Sequence, residues 1–358
     1  MLTYGGGLTL HTASSGRVAG LDTLYLRLIE NGIEATGEVR INSTYLNGLE
    51  AEDLVEEALD LLPRLSLAPD FSQAIDDPPA ALARASAPLR MLVDIALHDF
   101  EAKRAGLPLA SHLAGTPSMA IVGHPTNQSL FVSDDATLLR RAQAYVERGF
   151  TDLKLRIGSL DFEHDLQRLT LLRDRFGSRV RLAADANGAW DMKDVHSRLD
   201  ALEHLALSYI EQPATASLEA LARLGDDSPI PVMLDESLND ERAVGELASG
   251  GHRLMAHLKL VKLGGIAPTL RAAKALNAAG VPVMIGQMNE GGIATAAALH
   301  LAAALKPAFA ELYGADGLEN DAGLGLRYGE GCVSAPLRAG LGLSFHANRT
   351  RTLWEETR

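Results

Sequence analysis

The sequence predicts an α/β fold, a modified TIM barrel of the (β/α)7β type with a smaller N-terminal α+β domain, and three observations lead there. From about residue 116 short apolar runs alternate with helical stretches, and eight such runs can be counted. Before that point strands are followed by helices without alternation. After Tyr313 the chain turns into glycine-rich loop, with Gly314, Gly317, Gly323, Gly325, Gly329 and Gly331, where an eighth helix would stand. A doubly wound sheet usually stops at about five or six strands, so eight βα units favour closure into a barrel.

In the first domain Leu8 to Thr12, Thr23 to Glu30 and Ile33 to Ile41 have strand-like patterns, with Glu30-Asn31-Gly32 as a hairpin turn. Helical stretches follow over Ala51 to Leu65 and Pro79 to Ala105. Leu107-Pro108 and Gly115-Thr116-Pro117 supply the breakers for a boundary. The eight apolar runs are Met119 to Gly123, Asp152 to Ile157, Arg181 to Ala186, Ser208 to Glu211, Pro231 to Glu236, Ala256 to Val261, Pro282 to Gly286 and Phe309 to Tyr313. Helices are expected between them, among others over Asp135 to Arg148, Asp161 to Arg175, Met192 to Leu205, Asn239 to Ala248, Ile266 to Ala279 and Ile293 to Leu305. The expected division is an α+β domain over 1–115, the barrel over 116–320, and a C-terminal segment over 321–358 that folds back on the first domain.

Composition narrows the function classes. With 47% hydrophobic and 22% charged residues over 358 positions, the chain is globular and long enough to bury a large core. Its 33 basic and 46 acidic residues give a net charge of −13, which repels phosphate backbones and anionic lipid, so neither nucleic acid nor membrane is an expected partner. Met1 to Gly20 lacks the basic and apolar regions of a secretory signal, and the cytoplasm is the expected location. Ile293 to Leu305 is too short to cross a bilayer. A homo-oligomer is expected. The single Cys332 can form neither an internal disulfide nor a thiolate metal site, so a metal here would take oxygen or imidazole ligands.

Charged residues interrupt five successive runs: Lys154 and Arg156, Asp185, Glu211, Asp235, then Lys259. The intervals from Lys154 through Asp185, Glu211 and Asp235 to Lys259 are 31, 26, 24 and 24 residues, one βα unit each. Strand alternation puts all six on the inward face, with Leu153, Leu155, Leu182, Ile210, Leu234 and Leu258 facing the helices. Near the C-terminal strand ends of a barrel, inward side chains converge where active sites of this architecture lie. Three carboxylates with no Cys or His beside them make an all-oxygen site suited to Mg²⁺, which would remove their mutual repulsion. A lysine amine facing that cation has its pKa lowered and can take a proton. Such a site suits removal of a proton α to a carboxylate, through an enediolate. The competing reading is a structural ring of ion pairs, which would be costly to bury without a ligand.

Five stretches in order hold these residues: Leu153-Lys154-Leu155-Arg156-Ile157-Gly158, Asp185-Ala186-Asn187-Gly188-Ala189-Trp190, Ile210-Glu211-Gln212-Pro213, Leu234-Asp235-Glu236-Ser237 and Leu258-Lys259-Leu260-Val261-Lys262-Leu263-Gly264-Gly265. In them the chain resembles the enolase superfamily and, within it, the mandelate racemase/muconate lactonizing enzyme family. The resemblance implies that Asp185, Glu211 and Asp235 bind Mg²⁺, that Lys259 is the acid/base, and that Asn187 and Glu236 support the ligands. It also implies that the N-terminal domain caps the barrel, with the segment around Gly20 and the stretch Asn42 to Asn47 closing over substrate. Members similar to mandelate racemase have a His base after the seventh strand. Here that place reads Ile285-Gly286-Gln287-Met288-Asn289-Glu290, so Lys259 points to the muconate lactonizing branch. Dipeptide epimerases of that branch usually show Asp-x-Asp after the eighth strand, whereas Glu311-Leu312-Tyr313-Gly314 is closer to cycloisomerase-like members.

One departure bears on mechanism. The family's second-strand motif is usually Lys-x-Lys, and here it is Lys154-Leu155-Arg156. A guanidinium stays protonated, which makes Arg156 a poor base and a good clamp for a carboxylate or enediolate. The expected activity is Mg²⁺-dependent α-proton abstraction from a small carboxylate followed by isomerisation, cycloisomerase- or racemase-like, with Lys259, Lys154 and Arg156 as the catalytic groups. A syn-dehydratase acting on a hydroxy acid or hydroxy amino acid with one lysine base is an alternative. Two others are an aldolase using Lys259 as a Schiff base and a non-catalytic metal and carboxylate binder. Gln287 and Glu290 are candidate contacts to substrate or metal ligands. His124 is read as a surface residue, His257 as a packed core residue, and Gly264-Gly265 as a tight turn.

Overall fold

The computed structural model describes residues 1–5, 10–12, 16–18, 20–43, 48–66, 75, 78–116 and 122–357. The stretch Asn42 to Asn47 and the run Met119 to Gly123 lie partly outside them. Strands β1 (Leu10–Thr12) and β2 (Gly16–Val18) pair antiparallel. The expected hairpin is present as β3 (Thr23–Glu30) and β4 (Ile33–Arg40), in register from Thr23 opposite Arg40 to Glu30 opposite Ile33. Helix α1 (Ala51–Ser66) follows. The single helix expected over Pro79 to Ala105 is instead two, α2 (Ala80–Ala83) and α3 (Ala87–Arg104). Pro88 is the cause: it is tolerated in the first turn of α3 and would break a helix running through it. A short helix, α4 (Leu109–Ala114), leads towards the barrel.

Eight parallel strands form the barrel: β6 (Gln128–Leu130), β7 (Asp152–Arg156), β8 (Arg181–Asp185), β9 (Ile210–Glu211), β10 (Val232–Leu234), β11 (Leu254–Lys259), β12 (Val283–Gly286) and β13 (Phe309–Glu311). Each pairs with its neighbour in sequence, and the Asn127 amide donates to the Ala310 carbonyl (3.0 Å) between the first and last strands. The first strand is not where the sequence suggested. Val122–Pro125 (β5) pairs antiparallel with β15 (Cys332–Ala335), which pairs with β14 (Arg327–Gly329), and β6 takes the barrel position. Helices α5 (Asp135–Glu147), α6 (Phe162–Phe176), α7 (Val195–Leu202), α8 (Leu218–Asp227), α9 (Glu241–Gly250), α11 (Ile266–Ala278) and α12 (Gly292–Leu305) return the chain between strands. The one-turn helix α10 (Leu260–Leu263) continues β11. No α-helix follows β13 among the described residues.

Alternation along the strands divides two cores. Leu153, Leu155, Leu182, Ala184, Ile210, Leu234, Leu258 and Ile285 join the large core under the helices. The inward phase begins with a separate apolar plug of Ala183, Tyr209, Met233, Met255 and Met284, packed with Phe309. One step further along the same phase stand Asp185, Glu211, Asp235, His257, Gly286 and Glu311. The plug closes the bottom of the barrel, so the charged layer above it opens only towards the C-terminal strand ends.

Two junctions tie the barrel to its surroundings. The Leu109 amide donates to the Gly340 carbonyl (2.8 Å), and the Leu341 amide to Asp99 Oδ1 (2.8 Å). Buried His300 on α12 accepts from the Ala110 amide at Nδ1 (2.9 Å) and faces the Leu341 carbonyl with Nε2 (3.1 Å). At Gly264-Gly265 the turn reading holds: both glycines have positive φ, and Asp94 of α3 accepts from the Ile266 amide (2.5 Å) at the helix start. No helix among the described residues is long and apolar enough to cross a membrane.

Candidate active site

The six residues singled out in the sequence arrive together at the barrel mouth. Lys154, Asp185, Glu211, Asp235 and Lys259 are each at most 5% exposed. Lys154, Arg156, Asp185 and Lys259 line a cavity of about 420 Å³, counting its open end, together with Ser129, Phe131, Gln287, Met288, Asn289, Glu311 and Tyr313.

Each lysine is held by carboxylates. Lys154 Nζ donates to Glu211 Oε2 (2.9 Å), pairs with Glu311, and lies 3.7 Å from Asp185. Lys259 Nζ donates to Asp235 Oδ2 (2.5 Å), and Lys262 Nζ to Asp235 Oδ1 (2.6 Å) and to the Asp235 carbonyl (2.7 Å). Burial pushes the Lys259 amine down, but Asp235, Glu311 and Glu211 outweigh it and hold the ammonium above its ordinary range. Lys154 is raised against its burial in the same way, by Glu211, Glu311 and Asp185. Burial raises the Glu211 carboxyl well above its ordinary range, whereas Lys259 and Lys262 hold Asp235 well below against its burial. A lysine base therefore needs positive charge brought to these carboxylates before it gives up its proton.

Arg156 and the loop after β8 form the outer layer. Arg156 Nε donates to Asn187 Oδ1 (2.5 Å), and its Nη2 is 3.3 Å from Asp185 Oδ2. Asn187, in the left-handed region at φ 45°, donates from its amide to Asp185 Oδ1 (3.0 Å) and from Nδ2 to Glu236 Oε1 (2.9 Å). Burial first, then Asp235 and Asp185, push the Glu236 carboxyl up to about 7. Gln287 accepts from Thr295 Oγ1 (2.6 Å), and its buried Nε2 has no partner. Glu290 is buried with Oε1 unpaired, and burial pushes its carboxyl up to about 7.

Three further residues belong to the site. Glu311, quoted in the sequence only for its motif, pairs with Lys154 and accepts from Asn127 Nδ2 (3.0 Å). Gln212, adjacent to Glu211, accepts from the Asp235 and Ser237 amides (3.0 and 3.1 Å) and so fixes the end of β10. His257 corrects the expectation of carboxylates with no histidine beside them, since its Nδ1 is 2.9 Å from Glu211 Oε1. The inward phase of β11 signalled that placement; the partner depends on barrel geometry. Donor atoms of Glu211, Asp235 and His257 lie within 4.8 Å of one another, while Asp185 turns to Arg156 and Lys154. The buried carboxylate oxygens of Asp185, Glu211 and Asp235 fit a hard divalent cation such as Mg²⁺.

A family model described as enolase C-terminal domain-like matches residues 137–349. Among the relatives, the hydrophobic dipeptide epimerase of Enterococcus faecalis is 31% identical over 277 residues, 77% of this chain and 74% of that protein. The chloromuconate cycloisomerase of Pseudomonas putida is 32% identical over 215 residues, 60% of this chain and 57% of that protein. Among solved structures, the muconate lactonizing enzyme of Pseudomonas fluorescens complexed with muconolactone superposes with a TM-score of 0.88 at 26% identity, covering 97% of this chain and 95% of that one. The substrate-liganded L-Ala-D/L-Glu epimerase of Bacillus subtilis gives 0.87 at 24% identity over 96% and 95%.

Proposed function

On the premise that the chain belongs to the enolase C-terminal domain-like family, we propose that it is a Mg²⁺-dependent isomerase that takes the α-proton of a small carboxylate substrate with Lys259. The observation behind this reading is that Lys154, Arg156, Asp185 and Lys259 line one cavity, with Glu211 and Asp235 bonded directly to its two lysines, above an apolar plug. Asp185, Glu211 and Asp235 would hold the cation. Bound there, Mg²⁺ supplies fixed positive charge that relieves carboxylate repulsion and favours the negative charge that develops when an α-proton leaves.

The chain's own residues do the rest. Arg156 and Lys154, on β7, present two cations to the substrate carboxylate, and Arg156 keeps its proton throughout. Lys259, on the other side of the metal ligands in strand order, receives the α-proton at Nζ once Asp235 no longer binds that nitrogen as an ammonium. It can return the proton to an isomeric position, which completes an isomerisation with no net loss of atoms. Gln287 Nε2, buried and unpartnered, and Glu290 Oε1 are offered as groups that orient substrate or ligands. A second reading, syn elimination of water by Lys259 alone, is favoured by the confinement of Lys154 between Glu211 and Glu311.

Candidate substrates follow from the relatives: dipeptides, N-acylated amino acids and unsaturated dicarboxylates. The test is incubation with Mg²⁺ in heavy water with such a panel plus hydroxy acids, read by NMR. Loss of an α-proton signal, cyclisation or dehydration with wild type but not with Lys259→Ala supports the proposal; wild type and variant behaving alike on every compound refutes it.

A further inference from the structure

Two buried histidines are satisfied in opposite ways. His300 has a backbone partner at each ring nitrogen, Ala110 and Leu341, as a packed structural histidine should. His257, also fully buried, has Glu211 Oε1 at Nδ1 and nothing at Nε2. Because Nδ1 faces a carboxylate oxygen, it bears the proton, and Nε2 bears the lone pair. That far edge lies against bare backbone of the next strand: a Cβ on Gly286 would come within 2.0 Å of Nε2.

We infer that His257 is a positioning residue for Glu211, holding one oxygen of a metal-binding carboxylate while Lys154 holds the other. Glu211 Oε1 meets Nδ1 of His257 and Oε2 accepts from Lys154 Nζ, each at 2.9 Å, so the carboxylate is pinned from two strands, β11 and β7. Asp235 Oδ2, 4.0 Å from Nδ1, is too far to share that proton. The His257 carbonyl is itself fixed, accepting from Lys262 Nζ (3.1 Å), which also holds Asp235. Gly286 is part of the device, since any side chain there would displace the ring. Groups that orient a metal ligand in this way govern affinity for the metal without touching it. The inference rests on the reading of Glu211 and Asp235 as cation ligands.

The experiment is titration of the metal-free full-length protein with Mn²⁺, followed by the electron paramagnetic resonance of free and bound ion. His257→Leu removes the donor and is expected to weaken Mn²⁺ about 10- to 100-fold. His257→Asn, whose Nδ2 takes the place of Nδ1, should restore affinity close to wild type, which a merely space-filling role would not predict. Gly286→Ala should weaken binding in the wild-type background and have little effect beside His257→Asn. Should the leucine variant not fold, His257→Ala serves the same arm. Equal affinity of the leucine and wild-type proteins, no rescue by asparagine, or direct nitrogen coupling to the bound Mn²⁺ would each overturn the inference. A wild-type protein with no saturable Mn²⁺ site would overturn the metal reading along with it.

Discussion

The barrel mouth and the start of α12 both bury carboxylates, and they do so by opposite rules. At the helix start Glu38 of β4 accepts from the Gly291 amide with one oxygen (2.7 Å) and from Ala294 with the other (2.8 Å). Asp321 accepts there from the Gly292 and Gly323 amides (2.6 and 2.8 Å) and from Tyr25 (3.2 Å). The Gly291, Gly292 and Ala294 amides are backbone donors left open by a helix N-terminus, whose dipole also favours negative charge. At the mouth Glu211, Asp235 and Glu311 are met mainly by lysine side chains, and His257, Gln287 and Glu290 leave buried atoms unpaired. Backbone donors cannot leave, so the first cluster is a fastening between the hairpin, the barrel and the C-terminal segment. Lysine partners can exchange for a cation or a substrate, and unpaired atoms await one, so the second cluster is equipped to bind and react.

Variants at the two places should separate activity from stability. The largest effect belongs to Lys259→Ala, which should slow α-proton exchange by about 10²- to 10⁴-fold while the chain stays folded by circular dichroism. Next comes pH. Burial lowers His300 from an ordinary 6.5 to about 4, so the neutral ring favours the folded state. Its contribution is complete above pH 6.5 and is lost as pH falls towards 4, because the unfolded chain takes up the proton first, at a total cost of about 3 kcal/mol. Urea unfolding across that window should show the loss in wild type and a flatter profile in His300→Asn. Glu38→Gln places an amide NH₂ against a backbone N–H and should cost about 1–3 kcal/mol in the same assay, with Mn²⁺ affinity unchanged. The smallest effect is expected from Arg156→Lys. It keeps a positive charge beside Asp185 but gives up the guanidinium bond to Asn187, for a change in KM of about tenfold or less.

The strand phase was legible because period-two alternation is local: Lys154, Asp185, Glu211, Asp235 and Lys259 could be put on one face without knowing the barrel. The first strand was misplaced because two of its three residues, Gln128 on the outward phase and Ser129 on the inward one, are polar and buried, so no apolar run marks it. Helix α8 left a signal that could have been read, a Ser217 cap followed by Leu218, Leu221, Ala222 and Leu224. The partners of His257, Gln212 and Glu311 were not legible, since they arise between strands far apart in sequence. The charge state of Lys154 and Lys259 belongs to the same class, because it is set by distances of a few ångströms to four carboxylates, Asp185, Glu211, Asp235 and Glu311.

The most direct measurement is deuterium uptake at the α-carbon of a turned-over substrate, followed by NMR in heavy water with and without Mg²⁺. Uptake by wild type that needs Mg²⁺ and vanishes in Lys259→Ala is the predicted result. Uptake that survives both removal of the metal and loss of Lys259 would contradict a mouth built for metal-assisted proton abstraction.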